Sequence, residues 1–223
     1  LFEPSNFNIE TIGTTETIKT AEIIEATPVH KNYSVFSIGS SSNILYKKHV
    51  LEISSWIDRQ PQPYTFGDNP YELNLLLRGS VVGFSSKHFH TFCDNIPGTV
   101  IVMKILGTGE IIGGYNPLVW PSDDSFKWLS TEDSFIFTLR NQKLSTSIIS
   151  RVNNVNMAIG CSSSHGPYFG NNFYKITAKK SKKWFYNDNG NYSIPIRANH
   201  ESFTVVDYEV FQVLNKYNET SIN

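Results

Sequence analysis

Residues 71–115 read YELNLLLRGSVVGFSSKHFHTFCDNIPGTVIVMKILGTGEIIGGY, and the rest of the chain is organised around this stretch. Its first apolar run, Leu73–Leu77, is short and bounded by turn residues, which predicts a strand rather than a helix. Arg78–Ser80 is predicted to turn the chain. Ser85 is a good N-cap and predicts a short helix over Ser86–Cys93.

The second half of this stretch predicts a β-hairpin. Two β-branched runs, Thr99–Leu106 and Glu110–Tyr115, flank a short loop that contains two glycines. Gly113 and Gly114 lie near the end of the second run. Glycine inside a strand indicates a bulge or the close approach of another backbone, so we expect tight sheet geometry there.

The region before this stretch predicts a linker and one helix. Residues 1–45 are rich in Thr, Ser and Asn and are interpreted as a linker or the tail of a preceding domain, with an edge strand at Tyr33–Ile38 as the alternative. Lys47–Arg59 has apolar residues at helical spacing and predicts an entry helix within residues 46–60. We expect this helix to dock through Trp56.

The region after the stretch predicts further strands. Ser134–Leu139 alternates, and Phe203–Leu214 forms a closing strand that is expected to break near Asp207, where the alternation loses its phase. Weaker strand candidates are Ile148–Ile149, Ala158–Cys161 and Tyr174–Thr177. Lys183–Tyr186 and Tyr192–Ile194 flank a turn at Asp188-Asn189-Gly190 and are predicted to form a hairpin. The predicted domain spans 61–216, with a tail at 217–223. Many strands and few short helices predict an α+β, mainly β fold in which two antiparallel sheets pack as a sandwich.

Composition excludes several classes of protein. The net charge of −1 gives no basic footprint for nucleic acid, and no apolar run is long enough for membrane insertion. Cys93 and Cys161 are too few for a disulfide scaffold and fit a reduced compartment. The N-terminus lacks a signal-peptide pattern, so we expect a cytoplasmic protein. Leu1 is not an initiator Met, which indicates a piece of a longer chain.

The residues that suggest metal binding, phosphate binding or nucleophilic catalysis are explained better by structural roles. His90 and Cys93 share a helix face while His88 points away, so the three do not converge as metal ligands must. The basic residues within Lys179–Lys183 precede aromatic residues, as expected of a solvated loop that enters a strand. Ser164–His165 precedes Gly-Pro and indicates a turn. We therefore expect no metal, no cofactor and no catalytic residue.

Glu209 is the acid of greatest interest because it lies within the apolar run YEVFQV. If its side chain points inward, it needs a partner, since burying a lone carboxylate is costly. Arg78 and Arg140 are the candidate partners. An outward orientation toward solvent is the alternative.

Six blocks, taken in order, resemble the TLDc domain, the module of the oxidation-resistance proteins. They are LLLRGS (75–80), GF-x3-HFH-x2-CDN (83–95), TVIVMKILGTGEIIGGYNPLVW (99–120), DSFIFTL (133–139), HGPYFG (165–170) and YEVFQV (208–213). The segment SSWIDR (54–59) is similar to the corresponding segment of fungal chains in which a BTB or kinase domain precedes this module.

The resemblance implies a sandwich of two antiparallel sheets and a protein with no settled catalytic activity. It also implies a role in oxidative-stress defence, with subunits of the vacuolar proton-pumping ATPase as the protein partner. The family-motif or interaction positions that it implies are Ser80, Gly83, Phe84, Asp94, Gly113, Gly114, Gly166, Gly170 and Glu209.

The chain departs from the family pattern at two places. Val81 and Val82 stand where the family usually has an Arg-Asp pair, and Asn172 and Phe173 stand where it commonly has Asp-Leu. Both changes remove charge from loops expected to form contact surface.

Two other functions are alternatives. A hydrolase-like enzyme would use paired carboxylates, Asp123–Asp124 or Glu132–Asp133, or the thiol of Cys161. An adaptor would take its partner from an upstream BTB or kinase domain. The sequence does not indicate an oligomeric state.

Overall fold

The computed structural model describes residues 42–121, 125–140, 147–175, 181–198 and 200–217. All of them belong to one unit of the chain, residues 35–223. Several features discussed above lie wholly or partly outside the described residues: the linker 1–45 with its alternative strand at Tyr33–Ile38, the acid pair Asp123–Asp124, the end of the candidate strand Tyr174–Thr177, Lys179–Lys180 and the tail 217–223.

Three α-helices and eleven strands form the described part of the chain. The helices are α1 Lys47–Ile57, α2 Gly79–Val82 and α3 Ser86–Cys93. The strands are β1 Tyr71–Arg78, β2 Thr99–Ile105, β3 Ile111–Asn116, β4 Lys127–Leu129, β5 Phe135–Leu139, β6 Ile148–Arg151, β7 Ile159–Cys161, β8 Tyr168–Phe169, β9 Phe173–Lys175, β10 Lys183–Tyr186 and β11 Ser202–Asn215. The predicted α+β, mainly β class is confirmed.

The strands form one antiparallel path in which β11 is central. The order is β4-β7-β8-β9-β10-β11-β2-β3-β5-β6, and β1 also pairs with β11. The start of β11 pairs with β10, and its later residues pair with β1 and β2. The register shifts between Val205 and Asp207. This is the break predicted near Asp207, and there the chain passes from one half of the sheet to the other.

Two hydrophobic clusters lie on opposite faces of the half that contains β2 and β3. One cluster joins residues of both halves, including Ile101, Phe169 and Trp184. The two halves therefore enclose it, as the predicted sandwich requires. The other cluster lies beneath α1 and includes Val102 and Phe211. The half that contains β2 and β3 is thus buried on both faces.

The entry helix docks as predicted. The Trp56 ring packs 5.7 Å from the ring of Phe137, centroid to centroid. Ile44 and Leu45, just before α1, are buried in the same cluster. The helix ends two residues earlier than the predicted Arg59, because Arg59 takes a left-handed φ of +55° and leads the chain out of the helix.

Two local predictions need correction. Arg78–Ser80 is not a simple turn, since α2 begins at Gly79. Tyr192–Ile194 does not pair with Lys183–Tyr186. Tyr192 forms an isolated bridge with Val152, and its hydroxyl is bonded inside the core to the carbonyl of Ala158. The buried phenol fixes this segment where a hairpin strand was expected.

Candidate functional site

Glu209 is completely buried and fully paired. Its Oε1 accepts hydrogen bonds from Arg78 Nε over 2.7 Å and from the backbone N–H of Asn43 over 2.9 Å. Its Oε2 accepts from Ser42 Oγ over 2.5 Å. The inward orientation is therefore confirmed, and Arg78 is the partner, whereas Arg140 is exposed. The pair arises because Arg78 lies opposite Glu209 in the register of β1 and β11.

A second carboxylate, Asp207, holds α2 against β11. It accepts from the backbone N–H of Ser80 over 2.8 Å and from Ser80 Oγ over 2.5 Å. It also accepts from the backbone N–H of Tyr208 over 2.9 Å. Ser80, predicted as a family-motif position, therefore joins α2 to the strand that carries Glu209.

The two ends of α2 need glycine. A Cβ on Gly79 would lie 2.5 Å from Cδ1 of Tyr208, so the ring packs directly on the backbone. Gly83 has a φ of +108°, and a Cβ there would lie 2.5 Å from Nδ1 of His88. Phe84 packs on Tyr208 with ring centroids 5.5 Å apart. Gly83 and Phe84 thus shape the same junction as Ser80.

The valine pair that departs from the family pattern is divided by the fold. Val81 is 73% exposed on α2, whereas Val82 is partly buried against the core. The other departure is not surface at all. Asn172 and Phe173 are both buried, which overturns the expectation that they form a contact loop. Phe173 stacks on Trp184 inside the core.

Asp94, at the C-terminal end of α3, belongs to a separate cluster with His90 and His165. Its Oδ1 lies 2.6 Å from Nδ1 of His90, and Nε2 of His90 lies 2.7 Å from the backbone carbonyl of His165. Since a carbonyl only accepts, Nε2 carries a proton. Burial raises the pKa of Asp94, and the hydrogen bond from His90 acts against that rise. The cluster ties the 161–166 loop to α3.

The four remaining candidate glycines permit close packing. A Cβ on Gly113 would lie 2.2 Å from the carbonyl of Ile101. Cβ atoms on Gly114, Gly166 and Gly170 would lie 2.7 Å, 2.9 Å and 2.8 Å from atoms of Phe169, Lys175 and Tyr192 respectively. These positions serve the core and are not gathered around Glu209.

Among the described groups named for the hydrolase alternative, Cys161 and Asp133 have separate partners. Cys161 is buried and its thiol donates to the carbonyl of Pro121 over 3.3 Å. Asp133 lies at the surface and pairs with Arg59 over 3.1 Å. Nδ1 of His165 lies 3.0 Å from Ser164 Oγ. The backbone N–H of His165 donates to Ser162, as the predicted turn requires.

Sequence reasoning missed three members of the Glu209 and Asp207 junction. Ser42 and Asn43 were assigned to a linker, and Asp207 was noted only as a break in the strand. Ser42 Oγ accepts from the backbone N–H of Leu45 over 2.8 Å, a local serine turn that the short Ser tract before α1 indicates. Nothing in the sequence signals its contact with Glu209, which is 167 positions away.

Two features are absent from the described ranges. No three His, Cys, Asp or Glu residues there are placed to hold a metal ion. No helix in that part of the chain is long and apolar enough to cross a membrane.

Residues 38–214 match the sequence model of the family described as the TLDc domain. The match includes α1 and the residues that cap Glu209. No curated protein matches the chain.

Proposed function

The chain belongs to the TLDc domain family, and from this we propose that it is a non-catalytic, regulatory protein-interaction module. Its proposed partners are subunits of the vacuolar proton-pumping ATPase, and its proposed cellular role is defence against oxidative stress. The proposed location is the cytoplasm. The match identifies the TLDc domain only. That the chain is of the fungal type, with a BTB or kinase domain upstream, is a separate proposal.

One observation supports the non-catalytic reading most directly. The inward acids of the candidate site already have their hydrogen bonds from the protein: Glu209 from Arg78 and Ser42, and Asp207 from Ser80. A general acid or base must exchange a proton with a substrate within hydrogen-bond reach. The carboxylates of Glu209 and Asp207 therefore hold parts of the fold together, and few of their lone pairs are left to accept a proton from a substrate.

The cysteine alternative has less support. Burial raises the pKa of Cys93 far above its ordinary value, and the thiolate is the form that acts as a nucleophile. Cys161 is 2% exposed and donates to a carbonyl. Neither thiol has the exposed, electropositive surroundings of a reactive cysteine.

Binding to the purified vacuolar ATPase tests the proposed partner. The full chain, immobilised on a sensor, is expected to bind the detergent-solubilised holoenzyme or its detached peripheral sector and to change the rate of ATP hydrolysis. The control is the same chain unfolded by heat, which is expected not to bind. Absence of binding by the correctly folded chain would reject the pump as partner.

The cellular role has its own test. Cells that lack the gene are expected to lose viability in hydrogen peroxide and to recover it when the full chain is expressed. Equal survival with and without the chain would reject the role in oxidative-stress defence while leaving the pump as a separate question.

A further inference from the structure

The register shift in β11 exposes an apolar surface beside α2. Val205 pairs with Ile105 and Asp207 pairs with Lys104, so Val206 is the extra residue of the bulge. Val205 is buried, whereas Val206 is 43% exposed. A bulge of this kind turns one side chain out of the regular alternation, and here the side chain is apolar.

Two further exposed aliphatic residues adjoin the bulge through the hydrogen bonds of neighbouring backbone. Ser80 is bonded to Asp207, which brings its neighbour Val81 beside the bulge. On the other side, the backbone N–H of Leu106 donates to Thr204 over 2.8 Å. Val81 is 73% exposed and Leu106 is 61% exposed.

Three lysines adjoin the bulge in β11. Nζ of Lys182 donates to the carbonyl of Val206 over 3.3 Å and lies 4.5 Å from the ring centroid of Phe84. Lys183 pairs in register with Thr204, and Lys104 pairs with Asp207. All three lysines are exposed or carry exposed amino groups at the edge of the surface. We define the bulge patch as Val81, Leu106, Val206, Lys104, Lys182 and Lys183.

One carboxylate, Asp207, adjoins the three lysines of the patch, so it offsets only part of their positive charge. Asp207 is 9% exposed and is engaged by the N–H and hydroxyl of Ser80. Further along the same face of β11, Ser42 and Asn43 cover Glu209. The covered part of the face is therefore closed by the chain itself, while the bulge patch combines exposed aliphatic groups with positive charge.

We propose that the bulge patch is a docking site for an acidic segment of a partner protein that carries aliphatic side chains between its carboxylates. The aliphatic groups would pack on Val81, Leu106 and Val206, and the carboxylates would pair with the lysines. Charge complementarity of this kind favours association and selects against basic segments. The proposal rests on the proposed function only in that the partner is a protein.

The chemistry of the patch favours a protein segment over a lipid surface. Its apolar members are three separate aliphatic side chains, without the Trp and Tyr residues that are enriched where proteins meet the membrane interface. With a net charge of −1, the whole chain has no general attraction to anionic surfaces. The specificity must come from the local arrangement.

A defined peptide tests the proposal on the isotope-labelled full chain. The probe is a short synthetic peptide that repeats Asp-Glu-Leu, and the control peptides repeat Asp-Glu-Ser and Lys-Arg-Leu. Shifts of NMR signals are expected at Val81, Leu106 and Val206 with the probe only. Added salt is expected to weaken binding, because exposed charges are screened.

Matched variants locate the binding. Val206→Asp and Lys182→Glu are each expected to weaken binding of the probe about tenfold. Val119→Asp, at a position 42% exposed, and Lys127→Glu, on the distant strand β4, are the controls and are expected to change nothing. Equal loss in the controls, or equal binding of the Asp-Glu-Ser peptide, would overturn the proposal.

Three outcomes separate this proposal from its alternatives. If vesicles containing phosphatidylserine bind in a Lys182-dependent manner and the probe does not, the surface binds lipid and the proposal is wrong. If the variant Val206→Asp still binds the purified ATPase as the unaltered chain does, the patch is not the pump-binding surface, and the proposed function stands without it. If the probe binds as expected and the ATPase does not, the patch proposal stands and the proposed partner fails.

Discussion

Two buried glutamates hold the entry segment on the sheet in different ways. Glu209 on β11 accepts hydrogen bonds from Arg78, Ser42 and Asn43. Glu52 on α1 is 5% exposed, and Ser147 Oγ lies 3.2 Å from its Oε2. Burial raises the pKa of Glu52 to about 7. Glu209 is thus paired with a guanidinium, whereas burial shifts Glu52 toward its neutral, protonated form.

The difference shows that burial alone does not fix what a carboxylate contributes. Removing a charge from water is costly, and the cost is offset either by partners or by protonation. The Arg78–Glu209 pair joins β1 to β11 and recruits Ser42 and Asn43 from the segment before α1. Glu52 has no guanidinium against it among the contacts described, so its protonation state depends on pH. Four predictions test this contrast.

The largest effect is expected from Glu209→Ala. This change leaves Arg78 without its carboxylate and the N–H of Asn43 without its acceptor, and breaking one partner of a buried pair costs about 3–5 kcal/mol. The free energy of unfolding, measured with denaturant, is expected to fall by that amount. The matched control is Glu201→Ala, at an exposed position, with an expected change within about 0.5 kcal/mol. Equal effects of the two changes would contradict the structural role of Glu209.

A smaller loss is expected from Asp94→Asn. Asp94 contacts Nδ1 of His90, and His90 holds the carbonyl of His165. Hydrogen bonds to charged groups contribute about 1.5–3 kcal/mol, so a loss in that range is expected. Hydrogen exchange should speed up in the 161–166 loop and stay unchanged at Glu209. Uniformly faster exchange would mean that Asp94 does not act as a local tie.

Glu52→Gln is expected to change the pH dependence of stability. The folded-state pKa of Glu52 is about 7 and its ordinary value is 4.5. The folded protein therefore binds more protons than the unfolded chain between these values, and stability falls as pH rises through this window. The amide cannot ionise, so the variant is expected to keep above pH 7 the stability that the unaltered chain loses there, at most about 3 kcal/mol.

His49, one turn earlier on α1, has the opposite effect. Burial lowers its pKa from 6.5 to about 4. The unfolded chain then binds more protons in that window, and stability rises with pH. Below pH 6.5 the two groups oppose each other, so Glu52→Gln should reveal a rise of stability with pH that the unaltered chain lacks. Unfolding curves that are identical across this range for both proteins would contradict the shifted pKa of Glu52.

Local features were predictable from the sequence where neighbouring residues decide the outcome. Ser85 caps α3 as expected, with its Oγ accepting from His88 over 3.2 Å. The hairpin of β2 and β3 forms within one residue of its predicted ends. The need of Glu209 for a partner also follows from its apolar surroundings, and Arg78 was among the two candidates.

Features that depend on long-range contacts were not predictable. The sequence gives no sign that Ser42 contacts β11. The alternation around Asp207 indicated a break in the strand, but it did not indicate that Ser80 donates hydrogen bonds to Asp207. Asn172 and Phe173 stand in a sequence position that suggested a loop, yet both are buried. In each case tertiary packing decides the outcome, and a local pattern holds no information about a partner far along the chain.

The smallest effect is expected at the two adjacent valines, Val81 and Val82. Like Glu209 and Glu52, they are two residues of the same type in different surroundings. Val81 is 73% exposed, whereas Val82 packs partly against the core. Val81→Ser is expected to change the free energy of unfolding by less than about 0.5 kcal/mol, as surface substitutions usually do. Val82→Ser removes buried apolar area and is expected to cost about 1 kcal/mol. Denaturant unfolding of both variants checks the difference. A cost at Val81 equal to that at Val82 would mean that Val81 is covered in solution, which would also remove it from the surface available to a partner.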